Sequence, residues 1–126
     1  MKTRPKLNRA ATPDEIAVVR AALERVAAAP EYQHLSTRLD GLRVVSKCGC
    51  GCDSVDFAEY DPGHPTRVIA HGIGQNPAGG LVGVMVWGTA DRVTGLEVSD
   101  LEEAVNSADA RLPVPTTITR LHHGAA

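Results

Sequence analysis

The stretch Leu81-Val82-Gly83-Val84-Met85-Val86-Trp87 decides the fold. It has the length of a strand, its β-branched and aromatic side chains favour the pleated state, and it is apolar at both parities. Such a strand sits inside a sheet, covered on one face by a helix and on the other by more chain or by a second subunit. The helix that fits lies upstream. Thr12-Pro13-Asp14-Glu15 opens it: Thr12 can cap, Pro13 suits the first turn, and Glu15 stands where a capping box requires an acid. Ile16, Val19, Leu23 and Val26 then make one apolar stripe at three- and four-residue spacing, and Pro30 stops the segment. The class is therefore α+β: an N-terminal helix packed on a mainly antiparallel sheet of about five strands, with a short C-terminal helix.

The other strands follow outward from this pair. Val44 and Val45 open one that runs into the cysteines, and Ser54 to Ala58, Arg67 to His71 and Val93 to Val98 supply three more. Apolar parity switches from even positions (Val44, Cys48, Cys50, Cys52) to odd ones (Val55, Phe57), which calls for a turn or bulge between 49 and 54. Tyr32, Leu35 and Leu39 keep a helical spacing that Gly41 closes in the left-handed conformation. Asp61 to Pro65 is turn chemistry, Gly88 to Asp91 is a hairpin connection, and Gly72 to Gly80 reads as a mobile, dispensable loop. Ser99 and Glu102 make a second capping box, and Leu101, Ala104, Val105 and Ala108 support a helix of about two turns. Residues 1–11, basic and without period, read as a flexible arm; 12–121 form a single domain and 122–126 a frayed tail.

Composition narrows the function classes. The 126 residues carry 13 basic and 15 acidic side chains, interspersed, for a net charge of -2. Trp87, Phe57, Tyr32 and Tyr60 are the whole aromatic inventory. Neither the charge nor the stacking surface of a nucleic-acid binder is present. No window approaches the roughly 18 apolar residues of a membrane span. The basic cluster Lys2, Arg4, Lys6 and Arg9 has no apolar stretch behind it and is not a secretory signal. Three cysteines crowded into residues 48–52 make a poor disulfide framework, which points to a reducing cytoplasm.

Those cysteines, in Cys48-Gly49-Cys50-Gly51-Cys52, are the densest reactive chemistry in the chain. Fully extended, they would point their thiols to one face and behave as small buried hydrophobes. Bent at Gly49 or Gly51, they approach the sulfur separation of about 3.8 Å that a tetrahedral zinc–thiolate site needs. Three thiolates leave such a site one ligand short. The candidates are His71 at a strand end, His64 in a turn, His122 and His123 in the tail, or a second subunit; the set carried forward is Cys48, Cys50, Cys52 and His71, with zinc as the possible cofactor. A third reading is redox, with Lys47 favouring a thiolate and Asp53 and Asp56 opposing it.

Other motifs read as ordinary structure. The acidic run Asp53, Asp56, Glu59 and Asp61 lacks the glycine and terminal glutamate of a calcium loop and fits a solvated strand edge. The glycines from Gly72 to Gly80 are not followed by Lys-Ser/Thr or a helix, so they do not cradle phosphate. Glu97 alternates outward between Leu96 and Val98.

The run Cys48 to Cys52, followed by Ser54-Val55-Asp56-Phe57 and later by Leu96-Glu97-Val98, resembles a family of small bacterial hypothetical proteins with a CGCGC motif and a strand ending in Leu-Glu-Val. The resemblance covers residues 43–98. It implies a single α+β unit and no particular catalytic residue. The expected function is a non-enzymatic interaction module whose partner is another protein or a second copy of the chain. The alternatives are a thiolate metal-binding protein and a thiol-redox enzyme or sensor.

Overall fold

The computed structural model describes residues 5–49, 52–101 and 110–120. Thr12 caps α1 (Pro13–Val26) as its sequence demands: its hydroxyl accepts from the Glu15 amide at 3.0 Å, and the Glu15 carboxylate accepts from the Thr12 amide at 2.8 Å. The face that α1 buries carries Val18, Val19, Ala22, Leu23 and Val26, while Ile16 is only half-buried. Pro30 does not stop this helix. The chain turns extended at Ala27, which bridges Ala70, and the Ala28 amide donates to the Ile69 carbonyl at 2.8 Å. Pro30 instead begins α2 (Pro30–Gln33), which runs into a 3-10 turn at His34–Thr37. Gly41 then adopts φ +84°, the left-handed conformation expected of it.

The strands are β1 (Lys6–Ala10), β2 (Arg43–Lys47), β3 (Val55–Asp56), β4 (Arg67–Gln75), β5 (Leu81–Gly88), β6 (Val93–Asp100) and β7 (Thr119–Arg120). They form one antiparallel sheet in the order β1-β2-β3-β6-β5-β4-β7. The five expected strands are all present, and β1 and β7 add one at each edge. β1 places residues 6–10 of the expected flexible arm 1–11 in the sheet: Lys6 pairs with Ser46 and Ala10 with Arg43, across a bulge. What secures β1 is polar rather than periodic. The Arg9 guanidinium grips the Glu15 carboxylate with both nitrogens at 2.9 Å, tying the edge strand to α1.

Two further boundaries move. β4 continues to Gln75, so Gly72 to Gln75 are strand and the connection shrinks to 76–80, closed by the Asn76 amide donating to Gly80 at 2.9 Å. β6 continues to Asp100 and takes Ser99, the expected helix cap, into the sheet. Residues 102–109, which hold the rest of the expected C-terminal helix, lie outside the described residues, as do 1–4 and the tail 121–126.

Residues directly opposite one another share a face, so the register sorts the sheet into two surfaces. Val82, Val84 and Val86 of β5 and Leu96 and Val98 of β6 lie on the face covered by α1, where Gly72 meets Val26. The described helices gather on that side. The opposite face presents Ile73, Met85 and Trp87, all half-buried, with Glu97 and His71 exposed beside them. No helix among the described residues is long and apolar enough to cross a membrane.

Candidate functional site

The second face holds a groove of about 920 Å3. One row of its floor follows from register: Trp87 opposes Gly95, Gly95 opposes Asp56, Asp56 opposes Ser46, and Ser46 opposes Lys6. The Ser46 hydroxyl donates to Asp56 Oδ2 at 2.6 Å and orients that carboxylate. Glu97 lies one pleat along β6 from Gly95, on the same face. β3 is only two residues long because a side chain takes over its ladder. Ser54 Oγ accepts from the Val98 amide at 2.8 Å and donates to the Val98 carbonyl at 3.2 Å.

The rim is the connection from β3 to β4, where ion pairs set its shape. Lys6 Nζ lies 3.1 Å from Glu59, and His64 Nδ1 lies 2.8 Å from Asp61. The His64 bond and the Gly63 amide hold the Asp61 carboxyl below its ordinary range, with a smaller contribution from the Arg92 charge. Tyr60 stands between these pairs, 89% exposed.

Two of the three cysteines reach the same groove. The Cys48 amide donates to the Ser54 carbonyl at 3.1 Å, closing the turn that the parity switch called for between 49 and 54. Cys48 is half-buried, and Cys52 is buried and packs into the core. Cys50 lies outside the described residues. The next residue, Asp53, ties the turn to the C-terminal segment: its amide donates to Ala110 at 3.0 Å, and its carboxylate accepts from the Leu112 amide at 2.7 Å.

His71 is not brought to this cluster. It opposes Met85, Met85 opposes Glu97, and continuing that register leads through Ser54 to Cys48. His71 and Cys48 are thus four inter-strand steps apart, roughly 19 Å along the sheet. A tetrahedral ion with bonds near 2 Å does not span that separation, so, of the expected set Cys48, Cys50, Cys52 and His71, His71 and Cys48 do not share one ion within the chain. His64 is engaged with Asp61, and His122 and His123 lie outside the described residues. Among the described residues no group of three or more His, Cys, Asp and Glu is placed to hold a metal ion.

The acidic run resolves into separate structural duties: Asp53 on Leu112, Asp56 on Ser46, Glu59 on Lys6, and Asp61 on Gly63 and His64. The arrangement that sequence reasoning missed is the meeting of Trp87, Gly95, Asp56 and Glu97. Its one local signal is Gly95, a glycine inside a strand. An indole and two carboxylates thus share one stretch of the groove floor, with Gly95 buried between Trp87 and Asp56. No family model, curated protein or solved structure matches this chain.

Proposed function

We propose that the chain is a non-enzymatic interaction module that binds another protein on the sheet face opposite α1. The observation that carries this reading is the half-buried trio Ile73, Met85 and Trp87 on a face against which no described helix packs. Apolar side chains gathered on one side of a sheet are a common basis for a protein interface. Affinity capture from the source cells, on wild-type protein and on Met85→Glu, tests it. Met85 lies on that face, so a partner retained by the wild type and lost from the variant supports the reading. The same catch on both proteins overturns it. A dimer in sedimentation velocity that Met85→Glu dissolves would make the partner a second copy of the chain.

A second reading, thiolate metal binding, draws on the approach of Cys48 and Cys52 to one end of the groove with Cys50 between them in sequence. Metal analysis of protein purified without a histidine tag tests it: stoichiometric zinc, lost on Cys50→Ala, supports a site shared by the three thiols. Ligands beyond these would have to come from outside His71, which the sheet holds too far away.

A further inference from the structure

We infer that the sheet face opposite α1 pairs with the same face of a second copy of the chain, about a two-fold axis that runs along β5 over Met85. This rests on the interaction reading above and names the partner.

The row across the middle of that face carries the argument. His71 opposes Met85 and Met85 opposes Glu97, so a base, an apolar side chain and an acid lie in line on three neighbouring strands. His71 and Glu97 are exposed, and among the described residues neither side chain has a hydrogen-bond or ion-pair partner. They stand roughly 10 Å apart at the backbone, with Met85 midway. A half-turn about an axis along β5 exchanges the two ends of this row. It lays His71 of each copy over Glu97 of the other, and Met85 over Met85. Sheets packed face to face lie about 10 Å apart, a gap that an imidazole and a glutamate close by reaching from opposite sides. The imidazole N–H donates to the carboxylate, so both ends are matched at once. A half-turn about the row itself would instead set Glu97 against Glu97, and like charges facing one another across an interface cost affinity. The row is its own complement, as an isologous interface requires, and its order selects the axis.

The axis itself is apolar. Leu81, Met85 and Trp87 of β5 project to this face, with the buried Gly83 between the first two. Leu81 is 41% exposed. Leu101, whose amide donates to the Leu81 carbonyl, is 50% exposed. A β-carbon at Gly83 would meet Leu101 Cδ2 at 3.4 Å, which places Leu101 on the same face. The half-turn carries Ile73 of β4 to the side of the axis where Leu101 of the second copy lies. Apolar side chains thus gather at the centre and charge is kept to the flanks, the anatomy of a protein interface.

Area sets the strength. From Leu81 to Trp87 the axis is roughly 20 Å long, and three strands add about 15 Å of width, so the strip covers about 300 Å2 on each copy. A standard interface covers about 800 Å2 per partner. The dimer is therefore weak and forms only as concentration rises.

Sedimentation velocity on the full chain, over a series from about 10 µM to about 500 µM, should show a reversible monomer–dimer equilibrium and nothing larger. His71→Glu sets acid against acid on both flanks, and Glu97→Lys sets base against base. Each should raise the dissociation constant about two- to thirtyfold, the effect of two exposed charge pairs. An equimolar mixture of the two variants should dimerise more tightly than either alone, because each introduced charge then faces its opposite while the native His71 faces the native Glu97. Both positions are exposed, so the denaturation midpoints should match the wild type. If either variant fails to fold, Glu97→Gln replaces it and should weaken the dimer about twofold or more. A monomer at every concentration, assembly beyond the dimer, a dissociation constant unmoved by substitution, or a mixture no tighter than its components would overturn the inference. A monomeric chain that still captures another protein in a Met85-sensitive way would refute self-pairing and leave the interaction reading standing, whereas a monomer without such a capture would remove both.

Discussion

Gly72 of β4 runs so close beneath Thr119 of β7 that a β-carbon at position 72 would stand 2.5 Å from the Thr119 carbonyl oxygen, with both Val26 methyls 3.1–3.2 Å away on the other side. Backbone cannot give way as a flexible side chain does. Gly72→Ala is therefore expected to lower stability by about 1–3 kcal/mol, the cost of overpacking a close-fitted site. A fall in the urea midpoint with unchanged slope checks it, and an unmoved midpoint would show that β7 does not pack there.

That contact explains why part of the fold was illegible in the sequence. The glycines at 72 and 74 read as loop chemistry, whereas they are strand residues thinned to admit β7 and the segment around Pro113. β1 escaped notice because its hold is the Arg9–Glu15 pair and a bulged ladder, neither of which leaves an apolar period. α1 and the five inner strands were legible because each buries a face, and burial writes itself as periodicity. At the site, the cysteines were visible as chemistry, but their distance from His71 depends on β6 and β5 lying between β3 and β4. No local pattern encodes that order. The meeting of Trp87, Gly95 and Asp56 is likewise a product of register.

Leu23 is wholly buried in the face of α1 that packs on the sheet. Leu23→Ala should cost about 2–5 kcal/mol, the loss of transfer energy plus a cavity. Chemical denaturation measures it directly, and a change below about 0.5 kcal/mol would remove Leu23 from the core.

Glu15 should make the fold sensitive to acid. Burial raises its pKa, but the Arg9 guanidinium and the Thr12 amide outweigh that and hold it below the ordinary carboxylate value. A group with a lowered folded pKa contributes stability above its unfolded value, near 4.3, and loses that contribution as pH falls through the lower folded value. Denaturation midpoints measured from pH 6 downward should thus fall below about pH 4 in the wild type. In Glu15→Gln the curve should begin lower, by about 1–3 kcal/mol for the lost charge-assisted bonds, and flatten over that range. Parallel curves would show that other carboxylates govern acid unfolding.

The cysteines separate the three readings of the CGCGC run. Cys52 is 4% exposed and Cys48 half-buried, so iodoacetamide at neutral pH should modify Cys48 first and Cys52 at a rate set by unfolding of the chain. Cys52→Ala should cost about 1 kcal/mol, unaffected by chelator, as expected of a small core side chain. Peptide mapping by mass spectrometry after timed alkylation reads the order. Protection of both thiols that vanishes on adding chelator would establish a thiolate metal site, because bound ligands must stay deprotonated and are shielded by the ion. Rapid modification of Cys48, together with oxidation reversed by a dithiol, would establish a redox thiol. Modification of Cys52 as fast as Cys48 would contradict the buried position that the core assigns to it.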